Sequence, residues 1–130
     1  MSRSGYSDDY DQWATIKWRG AVASAFRGKR GQAFLREMKD ALDALPVKRL
    51  IRDELEAGGE VCAIGAVGAR RGISMNDIDP EDSASIAGAF GISHAMACEI
   101  MYENDEGNYH NETPEQRFIR IRAWLEVWTS

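Results

Sequence analysis

Gly59-Glu60-Val61-Cys62-Ala63-Ile64-Gly65-Ala66-Val67-Gly68-Ala69-Arg70-Arg71-Gly72 is apolar, rich in small residues and bracketed by glycines. At helical spacing Cys62, Gly65, Ala66, Ala69 and Gly72 share one face, which lets a second helix approach closely. As a strand, the run to Val67 would have to be buried, yet it lacks the β-branched density a strand favours. The stretch therefore reads as a short central helix.

The remaining periodicity is helical on both sides of it. Downstream, Asp79-Pro80-Glu81-Asp82 carries the cap, the proline and the first-turn acids of a helix start, and Phe90-Gly91 ends that helix. Ser93 caps a further helix over 94–103, and residues 104–108 have turn chemistry. Thr113-Pro114-Glu115-Gln116 opens a last helix with a capping-box pattern, and Phe118, Ile121, Trp124, Leu125 and Trp128 give it a broad apolar face. Upstream, residues 1–11 read as an arm anchored by Tyr6 and Tyr10, with Asp8, Asp9 and Asp11 favouring a helix N-terminus. A helix over 11–26 follows, then a break at residues 27–31. The stripe Phe34, Leu35, Met38, Leu42 and Leu45 marks a helix over 32–45. Pro46 suits the first turn of another over 47–57, stopped by Gly58-Gly59. The expected fold is all-α: residues 12–130 form one compact domain of about six to seven helices, including a helix-turn-helix-like hairpin.

At 130 residues, with 44% apolar and 28% charged residues, the chain suits a single globular domain. No run approaches the ~18 apolar residues of a membrane span, and the N-terminus has no signal-peptide core, so a cytoplasmic location is expected. Cys62 and Cys98 lack disulfide-framework or metal spacing and read as small buried hydrophobes. The net charge of −5 conceals a segregation: residues 12–52 carry ten Lys/Arg against three Asp/Glu, whereas residues 73–113 carry nine Asp/Glu and no Lys or Arg. Two readings stay open: solvated faces that attract each other across the fold, or surfaces that meet an anion and a basic partner.

Residues 86–100 are written like a helix-turn-helix, Ala and Gly before an Ile-Ser opening. The second helix, however, offers His94, Glu99 and Glu103 where DNA reading needs donors and cations. The alternative reading as a DNA-binding regulator therefore ranks below a structural hairpin. Arg27, Gly28, Lys29, Arg30 and Gly31, just before a helix, form the best candidate anion site for a nucleotide or phosphate, although the stretch is not a Walker loop. Cys62 near a helix start, with His94 or His110 as base, would make a nucleophile, but a packed core cysteine is the better reading. Glu103, Asp105, Glu106 and Glu112 lack EF-hand spacing for a hard cation and read better as a solvated acidic turn that can pair with Arg117 or Arg120. No catalytic set, metal site or cofactor motif is assigned. Trp128, in a terminal turn, is the aromatic expected at an interface, as in a homodimer through the terminal helices.

The opening Met-Ser-Arg-Ser-Gly-Tyr-Ser-Asp-Asp, the stretch Gly59 to Gly68, Glu103-Asn104-Asp105-Glu106-Gly107 and Glu112-Thr113-Pro114-Glu115-Gln116-Arg117 resemble a family of small phage and prophage proteins. The segments 18–25 and 28–33 extend the resemblance over nearly the whole chain. It implies an origin and carries no catalytic residues with it. The functional expectation is a non-catalytic accessory protein that binds and modulates a bacterial host protein or nucleoprotein complex, such as a CRISPR effector. Its contact would be the acidic set Glu99, Glu103, Asp105, Glu106 and Glu112, acting as a DNA mimic.

Overall fold

The structure, a computed structural model, describes residues 3–4, 12–107 and 111–130, with Gln12 described by its backbone alone. Tyr6, Tyr10, Asp8, Asp9, Asp11 and His110 lie outside the described residues, and so does most of the expected arm. Within them the chain is mostly helical. The helices are α1 (Gln12–Arg27), α2 (Lys29–Asp43), α3 (Ala63–Arg71), α4 (Ser83–Phe90), α5 (His94–Glu106) and α6 (Pro114–Thr129). One small antiparallel hairpin, β1 (Glu56–Ala57) and β2 (Glu60–Val61), pairs Glu56 with Val61 and Ala57 with Glu60.

α3 is the buried centre, and residues 63–68 are all enclosed. The close approach comes not from a second helix, as the spacing suggests, but from the irregular segment before β1: a Cβ on Gly65 would overlap the Leu55 carbonyl oxygen, while Ala69 and Gly72 of the same face are exposed. Cys62 caps the helix start, its sulfur accepting from Gly65 N–H at 3.3 Å. Gly72 ends the helix in the left-handed conformation at φ 74°, where a side chain would be strained. α2 and α5 flank α3; α2 also packs on α6 and α1, and α5 on α1 and α4. Phe26, Leu35, Met38, Leu42, Ile64 and Met101 belong to the one continuous core.

The expected helix over 47–57 does not form. Its apolar residues do not fit one stripe: Leu50 and Leu55 are both buried, but five residues apart they fall about 140° from each other on a helix. The backbone instead finds distant partners. Leu50 N–H donates to Pro114 O at 3.1 Å, and Ile51 N–H donates to Val61 O at 2.9 Å. Gly58 and Gly59, at φ 59° and 82°, make the tight hairpin turn rather than stopping a helix. Two further boundaries move. Asp79 closes its own turn by accepting from Glu81 N–H, so Asp82 caps α4, accepting from Ser85 N–H at 3.1 Å. Residues 104–106, expected in a turn, form the last turn of α5.

α4 and α5 meet across Gly91-Ile92-Ser93 with a bend of 109°, the corner expected of the hairpin. Ser93 caps α5 through Met96 N–H at 3.1 Å. No single helix among the described residues is long and apolar enough to cross a membrane.

Candidate functional site: a buried polar junction and a basic helix corner

Four segments far apart in sequence converge where α5 ends, α3 begins and α6 begins. Asp105, 4% exposed, is held by Arg3 in a two-point ion pair, Nε to Oδ2 at 2.6 Å and Nη2 to Oδ1 at 2.9 Å. The same carboxylate accepts from Asp53 N–H at 3.1 Å and from Asn104 Nδ2 at 2.8 Å. Asn104 also donates to Ile51 O and accepts from Ala63 N–H, so it joins α5 to both the irregular segment and the first turn of α3. Ser4 donates to Glu106 at 3.0 Å. Arg117, buried on α6, donates to Leu50 O at 2.9 Å and lies 3.5 Å from Glu112. Arg120 binds Glu112 at 2.7 and 3.0 Å and Glu103 at 3.4 Å.

The charges there are tuned in both directions. Burial pushes the Asp105 carboxyl up, but Arg3, Asn104 and the Asp53 amide override it, and the group sits below its ordinary range. Burial dominates at Glu103 and raises it. Burial likewise lowers Arg117. Two donors in this junction, Arg3 Nη1 and Arg117 Nε, are buried without a hydrogen-bond partner.

The acidic set expected to face a partner is therefore mostly turned inward, because each carboxylate has an internal partner. Glu99, 7% exposed, takes Arg19 at 3.0 Å. Glu103 and Glu112 share Arg120, Asp105 takes Arg3, and Glu106 takes Ser4. The outward acids of this half lie instead on the connector before α4: Asp77, Asp79, Glu81 and Asp82 are exposed.

The basic stretch 27–31 is not an open loop. α1 ends at Arg27, Gly28 alone separates the helices, and α2 begins at Lys29. Gly31 is buried, and a Cβ there would overlap the Ala25 carbonyl oxygen, so this glycine serves helix packing and does not face a ligand. Arg27, Gly28, Lys29 and Arg30 are exposed, as is Arg36 two turns on; these four cations have no carboxylate partner among the described residues. The cations expected to bind an anion are exposed around a one-residue helix junction rather than held in a glycine cradle.

Other candidates separate. Residues 95–101 of α5 are all buried, so the would-be recognition helix presents no face to a DNA groove. His94 is exposed, its Nε2 2.7 Å from Ser83 Oγ and its ring edge-on to Trp18, whereas Cys62 is buried at the start of α3. Among the described residues no three His, Cys, Asp or Glu are placed to hold a metal ion. Trp128 is half-buried, packed on Phe26 at 4.7 Å between ring centres, and its carbonyl accepts from Gln32. It belongs to the edge of the core. Among the described residues the exposed large apolar side chains are Trp13 and Ile16 on α1, Val47 in the irregular segment, and Ile119 and Val127 on α6. The α6 pair was visible in sequence as a second stripe, Ile119-Ala123-Val127 at i, i+4, i+8.

No protein-family model, curated protein or solved structure matches this chain.

Proposed function

We propose that the protein is a non-catalytic accessory protein that binds and modulates a bacterial host nucleoprotein complex, contacting its phosphate backbone through the α1–α2 corner. One observation carries the reading: Arg27, Lys29, Arg30 and Arg36 are exposed, close in sequence across a one-residue helix junction, and without carboxylate partners among the described residues. Elsewhere most of the described cations pair with carboxylates, so this corner concentrates unpaired positive charge in a chain of net charge −5. The resemblance to phage proteins supports a host component as the target, with defence complexes such as CRISPR effectors the class to test first. The test is a binding isotherm for a fluorescent oligonucleotide at several salt concentrations. Affinity that falls with salt, and that is lost on charge reversal at Arg27, Lys29 and Arg30, supports the reading; binding indifferent to both removes it.

A second reading rests on Asp77, Asp79, Glu81 and Asp82, an exposed acidic connector in a segment without Lys or Arg. It would suit a basic protein surface, the DNA-mimic role moved off the paired carboxylates. Neutralising these four acids, with partner capture as the readout, separates the two readings.

A further inference from the structure

α6 has two apolar faces, and the fold uses one of them. Phe118, Ile121 and Leu125 are buried in the core, and Trp124 and Trp128 pack on Phe26 with ring centres 5.6 and 4.7 Å away. The other face carries Ile119, 68% exposed, Val127, 75% exposed, and the exposed Ala123 midway between them. Two residues from both Ile121 and Leu125, Ala123 points about 200° away from them on the helix, so this stripe lies opposite the core. Isoleucine and valine lose side-chain freedom in a helix and suit its wet face poorly. Two of them about 12 Å apart with a small residue between serve burial better than helix formation. One edge of the stripe is charged. Arg122 donates to Asp43 at 2.8 Å and to Glu126 at 2.7 Å, and Lys39 lies 3.4 Å from Glu126.

We propose that a second copy of this chain covers the stripe, the two α6 helices packing antiparallel about a two-fold axis at Ala123. The face is self-complementary in that arrangement. Ile119 of each copy lies opposite Val127 of the other, and the two alanines meet at the axis, where their small side chains let the helices approach closely. Charge fits the same pairing. The charged edge runs against its own reverse, so each Arg122 comes beside Glu126 of the other copy while keeping its own Asp43. The two guanidinium groups nearest the axis are then flanked by acids from both copies. Antiparallel packing also sets each helix N-terminus beside a C-terminus, whereas parallel packing places like ends together. A contact made by one helix face is at the small end of specific interfaces, so the dimer dissociates in the range of roughly 10–100 µM. This inference is independent of the binding role proposed above.

The test is sedimentation equilibrium of the full chain over roughly 5–500 µM, which brackets the expected constant. The mass should rise from one chain to two. Ile119→Lys and Val127→Glu, each at an exposed position, should melt close to the wild type yet stay monomeric throughout. Mixed in equal amounts, the two variants should dimerise again. Antiparallel pairing sets the new lysine of one chain against the new glutamate of the other, and leaves the native Ile119–Val127 contact at the other end. A wild type that is monomeric at every concentration overturns the proposal and leaves the stripe to a different partner. A dimer that persists in either single variant overturns it by placing the contact elsewhere. No recovery on mixing overturns the antiparallel pairing about Ala123.

Discussion

Arg3 and Asp105, 102 positions apart, close on each other through two hydrogen bonds of 2.6 and 2.9 Å, each side chain only 2% exposed. That pair fastens the start of the chain to the last turn of α5, where Asp105 also receives Asp53 N–H from the irregular segment. Burying two charges is costly, and removing one strands the other. Asp105→Ala should therefore destabilise the fold by about 3–5 kcal/mol in urea denaturation, while Asp105→Asn, which retains a carbonyl acceptor, should cost less.

The same junction sets the acid response. Asp105 is held below its ordinary range, so its contribution is present above the unfolded value of about 3.9 and is lost as pH falls through the folded value. Glu103 is raised, so the fold binds its proton more tightly, and its contribution declines as pH rises past the unfolded value of about 4.3. Urea midpoints measured from pH 7 down to pH 3 should fall for the wild type. The fall should be shallower in Asp105→Asn and should persist in Glu103→Gln.

Glycines separate packing from propensity. A Cβ at Gly31 would collide with the Ala25 carbonyl, a backbone atom that cannot swing aside, whereas one at Gly88 meets nothing within 4 Å. Gly31→Ala should cost roughly 1–3 kcal/mol or more by forcing α1 and α2 apart. Gly88→Ala, on an exposed face of α4, should stabilise by up to about 1 kcal/mol. Thermal melts of the two variants should shift in opposite directions.

Local chemistry was legible in the sequence where a partner lies within a few residues. The α2 stripe at Phe34, Leu35, Met38 and Leu42 is buried as its period requires, and Thr113 with Gln116 forms the full capping box. Gly72 and Gly91 end their helices in the left-handed region. The failures share a different cause. Asn104 and Asp105 carry turn chemistry because short polar side chains compete for their own backbone, but Ala63, Ile51 and Arg3, 41 to 102 positions away, satisfy them inside a helix. Residues 47–57 look helical until Pro114 and Val61 take the bonds of Leu50 and Ile51. The candidate surface divides the same way: Arg117 and Arg120 meet carboxylates close by in sequence, a pairing the sequence suggested, whereas the pairing of Glu99 with Arg19, 80 positions away, was not readable.

Salt dependence examines the basic corner without knowledge of the target. Each phosphate neutralised on duplex DNA steepens the log–log salt slope by about 0.9. Charge-neutralising Arg27→Gln, Lys29→Gln and Arg30→Gln together should flatten that slope by up to about 3 in fluorescence anisotropy with an oligonucleotide. Because these side chains are exposed and without carboxylate partners among the described residues, the melting temperature should stay close to that of the wild type.

The most direct test is affinity capture from bacterial lysate, with and without nuclease, comparing the wild type with the triple variant Arg27→Glu, Lys29→Glu and Arg30→Glu. The account predicts that the wild type retains a host nucleoprotein, that nuclease sharply reduces the capture, and that the triple variant captures little in either arm. Equal capture by the triple variant, or a partner held undiminished after nuclease, would contradict phosphate-backbone recognition by the α1–α2 corner.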